Sequence, residues 1–294
     1  MLSEKFPQDL SNLWPTGVTL NLEERMNLQL SFYKIFEQED FEEVLFWGKI
    51  KGVTKDYYIA MALNYKGHYE FPNKRFFWCT SQNWTFAELS AINPNDKEHV
   101  EKFNTFFSGE HDKILVPAPE PEQQEGAEEQ GEEHEKDSLA STEEEKIPAK
   151  NFTELDRLAY VVRAIEQDCS VVPEGSFRMT PSHELIRNKA FEGLSRQDIR
   201  DIKKYFHFRN VQLPEKREQL DRDDALFTYD FLDPVEKDLP KGTWSLQVDH
   251  SGNLATLRSF LWPGYFAFHK ANSDVFGGVY IGEGVKNADL PFML

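Results

Sequence analysis

Two spacings of apolar residues alternate along this chain, and each change of spacing marks a new element. Leu22, Met26, Leu30 and Tyr33 recur every three or four positions behind Asn21-Leu-Glu-Glu24. Asn21 and Glu24 have the form of a capping box, so a helix begins there with those four residues on one stripe. Residues 41–52 crowd aromatic and β-branched side chains together and are punctuated by Gly48 and Gly52, which reads as a strand. Strands follow at 56–60 and 75–79, and Asn95-x-x-Glu98 opens a short helix with Val100, Phe103 and Phe107 on one face.

In the second half, Asn151-x-x-Glu154 starts an amphipathic helix striped by Phe152, Leu155, Leu158, Val162 and Ile165. Ser195 and Asp198 open another, with Leu194 and Ile199 as its hydrophobic staple and Ile199, Ile202 and Phe206 facing inward. Then the period falls to two. Trp244, Leu246 and Val248 alternate with polar neighbours, residues 250–253 turn, and 254–261 return, which predicts an antiparallel hairpin. Pro263-Gly264 breaks the run before strands near 265–269 and 278–282. Strands grouped apart from helices indicate an α+β fold, with largely antiparallel sheets and several amphipathic helices packed on them. The apolar end, residues 289–294, is expected to tuck against the body.

Charge divides the chain more sharply than pattern does. The 294 residues carry 33 basic and 51 acidic side chains, a net charge of −18. Residues 117–146 hold twelve of the acids against Lys136 and Lys146, with no aromatic ring among them. Burial there cannot offset about 1–2 kcal/mol of ordering entropy per residue, so this stretch reads as a disordered acidic loop. It separates residues 1–116, a helix-plus-strand part, from 147–294, a helical segment followed by an antiparallel β part; the two flanks are expected to form one folded unit. The remaining residues keep all 24 Phe, 10 Tyr and 6 Trp, enough for a substantial core. Net acidity argues against nucleic acid and anionic membrane as partners. The longest apolar run, residues 57–63, is far short of a membrane span. Cys79 and Cys169 are too few for a disulfide framework or a thiolate zinc site. With no signal-peptide pattern at the amino terminus, a soluble protein of a reducing compartment is expected.

Candidate chemistry is sparse. Glycines at 277, 278, 282 and 284 enclose β-type residues and Glu283, so they suit a strand with bulge and turn glycines better than a phosphate cradle. His207 sits among aromatics, where packing or capping explains it. None of the eight histidines forms a metal-like pair with another. Neither a catalytic residue nor a cofactor or metal site is expected. The adjacent rings say more. Neighbours in a strand point to opposite faces, so Phe46-Trp47, Tyr57-Tyr58, Phe76-Phe77-Trp78 and Phe260-Leu-Trp262 require cover on both sides of a sheet. That cover is either other layers of the chain or a partner. Phe46, Trp47, Tyr57, Tyr58, Trp262 and Pro263 are the candidate partner-interface residues.

Several of these segments together resemble the radial spoke head proteins. They are Val44-Leu-Phe-Trp-Gly-Lys-Ile50, Asp56-Tyr-Tyr-Ile-Ala60, Phe191-Glu-Gly-Leu-Ser195, Tyr205-Phe-His-Phe-Arg209, Leu239-Pro-Lys-Gly-Thr-Trp-Ser245, Leu257-Arg-Ser-Phe-Leu-Trp-Pro-Gly264, Gly278-Val-Tyr-Ile-Gly282 and residues 286–294. The resemblance implies a non-catalytic structural subunit of the axonemal radial spoke head in motile cilia and flagella, with no cofactor. It further implies partnership with the larger radial spoke head proteins of the 4 and 6 type and with other spoke-head subunits. Transient contact with central-pair projections would help pass their signals to dynein arms. The alternative is an acidic interaction or chaperone-like module that grips basic partners through the Glu-rich loop.

Overall fold

The computed structural model describes residues 6–38, 41–92, 97, 100, 103–117, 151–222 and 231–293. Helix α1 (Phe6–Ser11), a 3₁₀ turn (Trp14–Thr16) and helix α2 (Leu22–Gln38) precede a meander of β1 (Glu43–Ile50), β2 (Tyr57–Asn64), β3 (Asn73–Thr80) and β4 (Ala87–Glu88). Strands β5 (Ile114–Val116) and β6 (Phe152–Thr153) lead into helix α3 (Glu154–Cys169). Short strands follow: β7 (Val171–Pro173), β8 (Phe177–Met179), β9 (Leu185–Arg187) and β10 (Tyr205–His207). After helix α4 (Pro214–Leu220), a second meander runs through β11 (Trp244–Val248), β12 (Leu254–Ser259), β13 (Tyr265–Lys270) and β14 (Phe276–Gly282), ahead of helix α5 (Leu290–Met293).

The two meanders share one eight-stranded sheet, ordered β11-β12-β13-β14-β1-β2-β3-β4. All neighbours in it are antiparallel except β14 and β1, which meet in parallel and join the first strand of the chain to the last. The fold is therefore α+β with a mainly antiparallel sheet, as the strand and helix runs predict. Gly48 makes the join possible, because a Cβ there would lie 2.2 Å from the Tyr280 carbonyl oxygen. The expected glycine-rich strand is β14, and the expected hairpin pairs Trp244 with Ser259 and Val248 with Ala255.

Both faces of the sheet are covered by this chain. On one, Phe6, Leu10, Leu28, Phe32 and Ile35 from α1 and α2 pack on Phe46, Tyr58, Phe77, Phe268 and Val279. On the other, Leu158, Val162 and Ile165 of α3, with Phe177 and Phe206, pack on Trp47, Tyr57, Ile59, Phe76 and Tyr280. Each fully buried large apolar side chain contributes about 1.5–3 kcal/mol, so the adjacent rings stabilise two layers at once.

Three local expectations are corrected. Helix α3 is capped by Thr153 and Asp156, not by Asn151 and Glu154: the Thr153 hydroxyl accepts from Asp156 N–H, and the Asp156 carboxylate accepts from Thr153 N–H. Ser195 and Asp198 do exchange hydrogen bonds, but only 3₁₀ turns at Asp198–Arg200 and Ile202–Lys204 follow. The Asp201 carboxylate accepts from Lys203 N–H and restarts the turn, and Phe206 is drawn into β10 by pairing with Val172 of β7. Among the described residues of the carboxy end, 289–293, only Leu290 is buried; Phe292 and Met293 project into solvent. On α2 the capping box forms as expected, and Leu22, Met26, Leu30 and Tyr33 form one stripe, which lies on the exposed side. Asn95 and Glu98, and residues 118–146 of the acidic loop, lie outside the described residues.

Candidate partner interface

The candidate residues sit where the sheet meets its covers. A bulge between Phe46 and Gly48 places Trp47 and Gly48 on the α3 side and turns Lys49 toward α2. The Phe46 ring lies 5.1 Å from Phe6 and 6.3 Å from Phe32, under α1 and α2. Trp47 faces the other way: its Nε1–H donates to Glu166 of α3 at 3.0 Å, and its ring lies 5.6 Å from Tyr280.

Tyr57 and Tyr58 divide in the same manner. The Tyr57 hydroxyl donates to Glu154 at 2.8 Å in the first turn of α3, and the Tyr58 hydroxyl donates to Glu24 at 2.7 Å in the first turn of α2. Burial and the adjacent carboxylate push both hydroxyls well above the usual tyrosine range, so they remain donors. Glu154 is buried and also accepts from Ser108 N–H, Ser108 Oγ–H and Gly109 N–H, at 3.0, 2.6 and 2.8 Å. Burial alone would raise Glu24; the Lys49 ammonium at 2.8 Å, the Tyr58 hydroxyl and the Asn21 amide together hold it below the usual carboxylate range.

Trp262 follows the same rule, donating Nε1–H to Asp168 at 2.9 Å, as Trp244 does to Asp238 at 2.7 Å. Of the six candidates, Phe46, Trp47, Tyr57, Tyr58 and Trp262 are buried within the chain, and Pro263 is exposed. The carboxylates that receive these ring donors are the functional residues that ring-based reading misses. One signal was available for Glu154, which falls in phase with Leu158, Val162 and Ile165, an acid in an apolar stripe.

The polar groups beneath the surface are engaged in structure. A cavity of about 80 Å³ between the sheet and the β7–β8 layer has Glu166 and Arg187 as its charged walls; Glu166 is bound by Trp47 and Lys74, and Arg187 by Glu43. His207 is buried, with Nε2 2.9 Å from Asp238. Cys79 and Cys169 are buried free thiols whose pKa values burial pushes up, away from reactive thiolate. Among the described residues no group of three or more His, Cys, Asp or Glu could hold a metal ion, and no helix is long and apolar enough to cross a membrane.

Two layers clamped by buried carboxylates onto one shared sheet define a scaffold. The family model described as radial spokehead-like protein matches residues 4–176. A radial spoke head protein 9 homolog of Danio rerio is 33% identical over 279 residues, covering 95% of this chain and 94% of the relative. The Homo sapiens homolog is 33% identical over 285 residues, covering 95% of each, and a Xenopus tropicalis homolog is 36% identical over 138 residues, covering 47% of this chain and 50% of its own. The chain belongs to the radial spoke head family, in its protein 9 branch. Members of that branch are structural components of the ciliary and flagellar axoneme, and the role of this chain is structural, not enzymatic.

Proposed function

We propose that this chain helps build the radial spoke head by binding the larger radial spoke head proteins of the 4 and 6 type, and that the assembled head makes transient contact with central-pair projections. Those contacts help pass central-pair signals to the dynein arms. One observation carries the reading: the similarity to the Homo sapiens homolog spans 95% of this chain and of that relative and so includes both meanders of the shared sheet, the whole scaffold and not a single motif. A scaffold of this kind is rigid inside and sociable outside. Trp14, Tyr69, Phe106 and Phe292 remain exposed on it, aromatic residue types enriched at protein interfaces. Among the six candidate residues, Pro263 is the point a partner reaches, with the Trp262–Asp168 clamp fixed behind it.

The test is stoichiometric co-purification with a larger radial spoke head protein from salt-extracted axonemes. Its absence from the spoke-head fraction would overturn the proposal. Excision of residues 118–150 separates this reading from the acidic-module alternative: spoke-head association is expected to survive, whereas a Glu-rich grip on basic partners would be lost.

A further inference from the structure

Helix α2 has two apolar faces. Leu28, Phe32 and Ile35 are buried on the sheet, with Glu24 and Ser31 tied down between them through Lys49, Tyr58 and the Trp84 carbonyl. Opposite them Leu22, Met26, Leu30 and Tyr33 are 72, 58, 63 and 58% exposed. At about 100° per residue these four fall within an arc of roughly 80°, a continuous ridge along three turns. Single exposed apolar residues are ordinary, but a ridge of four on one helix is not. Glu23 and Lys34 flank the ridge on one and the same side, both exposed, and neither is ion-paired among the described residues.

That arrangement is self-complementary. A two-fold axis through the middle of the ridge, beside Leu28, runs two copies of α2 antiparallel and keeps each flank on its own side. Met26 then lies level with Leu30 of the second copy, Leu22 with Tyr33, and Glu23 within about one residue's rise of Lys34. The axis repeats each pairing, so two Glu–Lys pairs border a closed apolar seam. A parallel pairing would instead carry the two flanks to opposite sides of the seam, where Glu23 and Lys34 do not meet. The four side chains expose roughly 500 Å² per copy, so the pair buries about 1,000 Å², the lower range for a specific interface. We propose that the exposed face of α2 is an antiparallel homodimer interface, closed by Glu23 of each copy against Lys34 of the other.

Sedimentation of the full-length chain across the micromolar range tests this. A reversible monomer–dimer equilibrium is expected. Met26→Glu with Leu30→Glu should leave a monomer with an unchanged melting temperature, since neither side chain is core. Glu23→Lys should weaken the dimer about tenfold, and adding Lys34→Glu should restore it. A wild-type monomer at every concentration overturns the proposal, as does a dimer unaffected by the Met26 and Leu30 changes. Failure of the second charge change to rescue the first overturns the antiparallel register. A chain that dimerises only after residues 118–150 are removed would show its own segment occupying the ridge, which also defeats the proposal. The spoke-head reading is independent: a monomer that still co-purifies with spoke-head proteins leaves it standing.

Discussion

Tyr57 and Tyr58 are joined by one peptide bond, yet each fastens a different helix to a different face of the sheet. A buried carboxylate that loses one donor costs about 1–2 kcal/mol, because the remaining partners cannot replace the missing bond. Tyr58→Phe is expected to lower unfolding free energy by about that amount, since Glu24 keeps only Lys49 and the Asn21 amide. Urea titration measures it, and an unshifted midpoint would show that Glu24 does not clamp α2. His269 gives a pH-dependent counterpart. It is buried, accepts Leu194 N–H at Nε2, contacts the Val275 carbonyl through Nδ1, and burial pushes its pKa down to about 4. The unfolded chain binds a proton near pH 6.5 that the folded chain refuses, so stability falls as pH drops from about 6.5 to about 4, by about 3 kcal/mol in all. His269→Gln should flatten that part of the stability profile; a variant with the wild-type slope would assign the dependence to other groups.

Among the elements, the β1–β14 join is the most sensitive. It is the only parallel contact in the eight-stranded sheet, and it leaves no room for a Cβ at Gly48. Gly48→Ala is expected to cost about 3 kcal/mol by forcing the two strands apart, read as a drop in melting temperature. Survival at the wild-type temperature would mean that the strands can slide without loss. The helices show how far pattern reading reaches. Asn21 and Glu24 announced the start of α2 correctly because a capping box is local chemistry. The side of α2 that meets the sheet was not legible: both of its faces are apolar, and the decision falls to Tyr58 and Lys49, distant in sequence. Similarly, the Ser195 cap formed, but its helix gave way to β10 because β7 offered Phe206 a pairing partner.

At the scale of the whole molecule, the described residues on either side of 118–150 meet in the fold. Val116 pairs with Phe152, so the two ends of the segment are already held side by side before α3 begins. Replacing the segment with a short Gly-Ser link is therefore expected to leave the melting temperature within a few degrees, because closure entropy changes slowly with loop length. A large fall would show that the acidic segment contributes to the folded body. The same geometry explains how one sheet can draw four strands from each side of the acidic stretch.

Local and periodic features were determined by the sequence alone: the α+β class, the 244–259 hairpin, the cap of α2, and the need to cover both faces of a sheet bearing adjacent rings. These follow from side-chain direction and backbone preference, which act over a few residues. The tertiary structure alone decided what covers those rings. Glu24, Glu154, Glu166 and Asp168 lie far along the chain from the tyrosines and tryptophans they receive, so no spacing pairs each acid with its ring. Burial strengthens each such bond only after the layers have closed, and the same closure leaves one face of α2 bare.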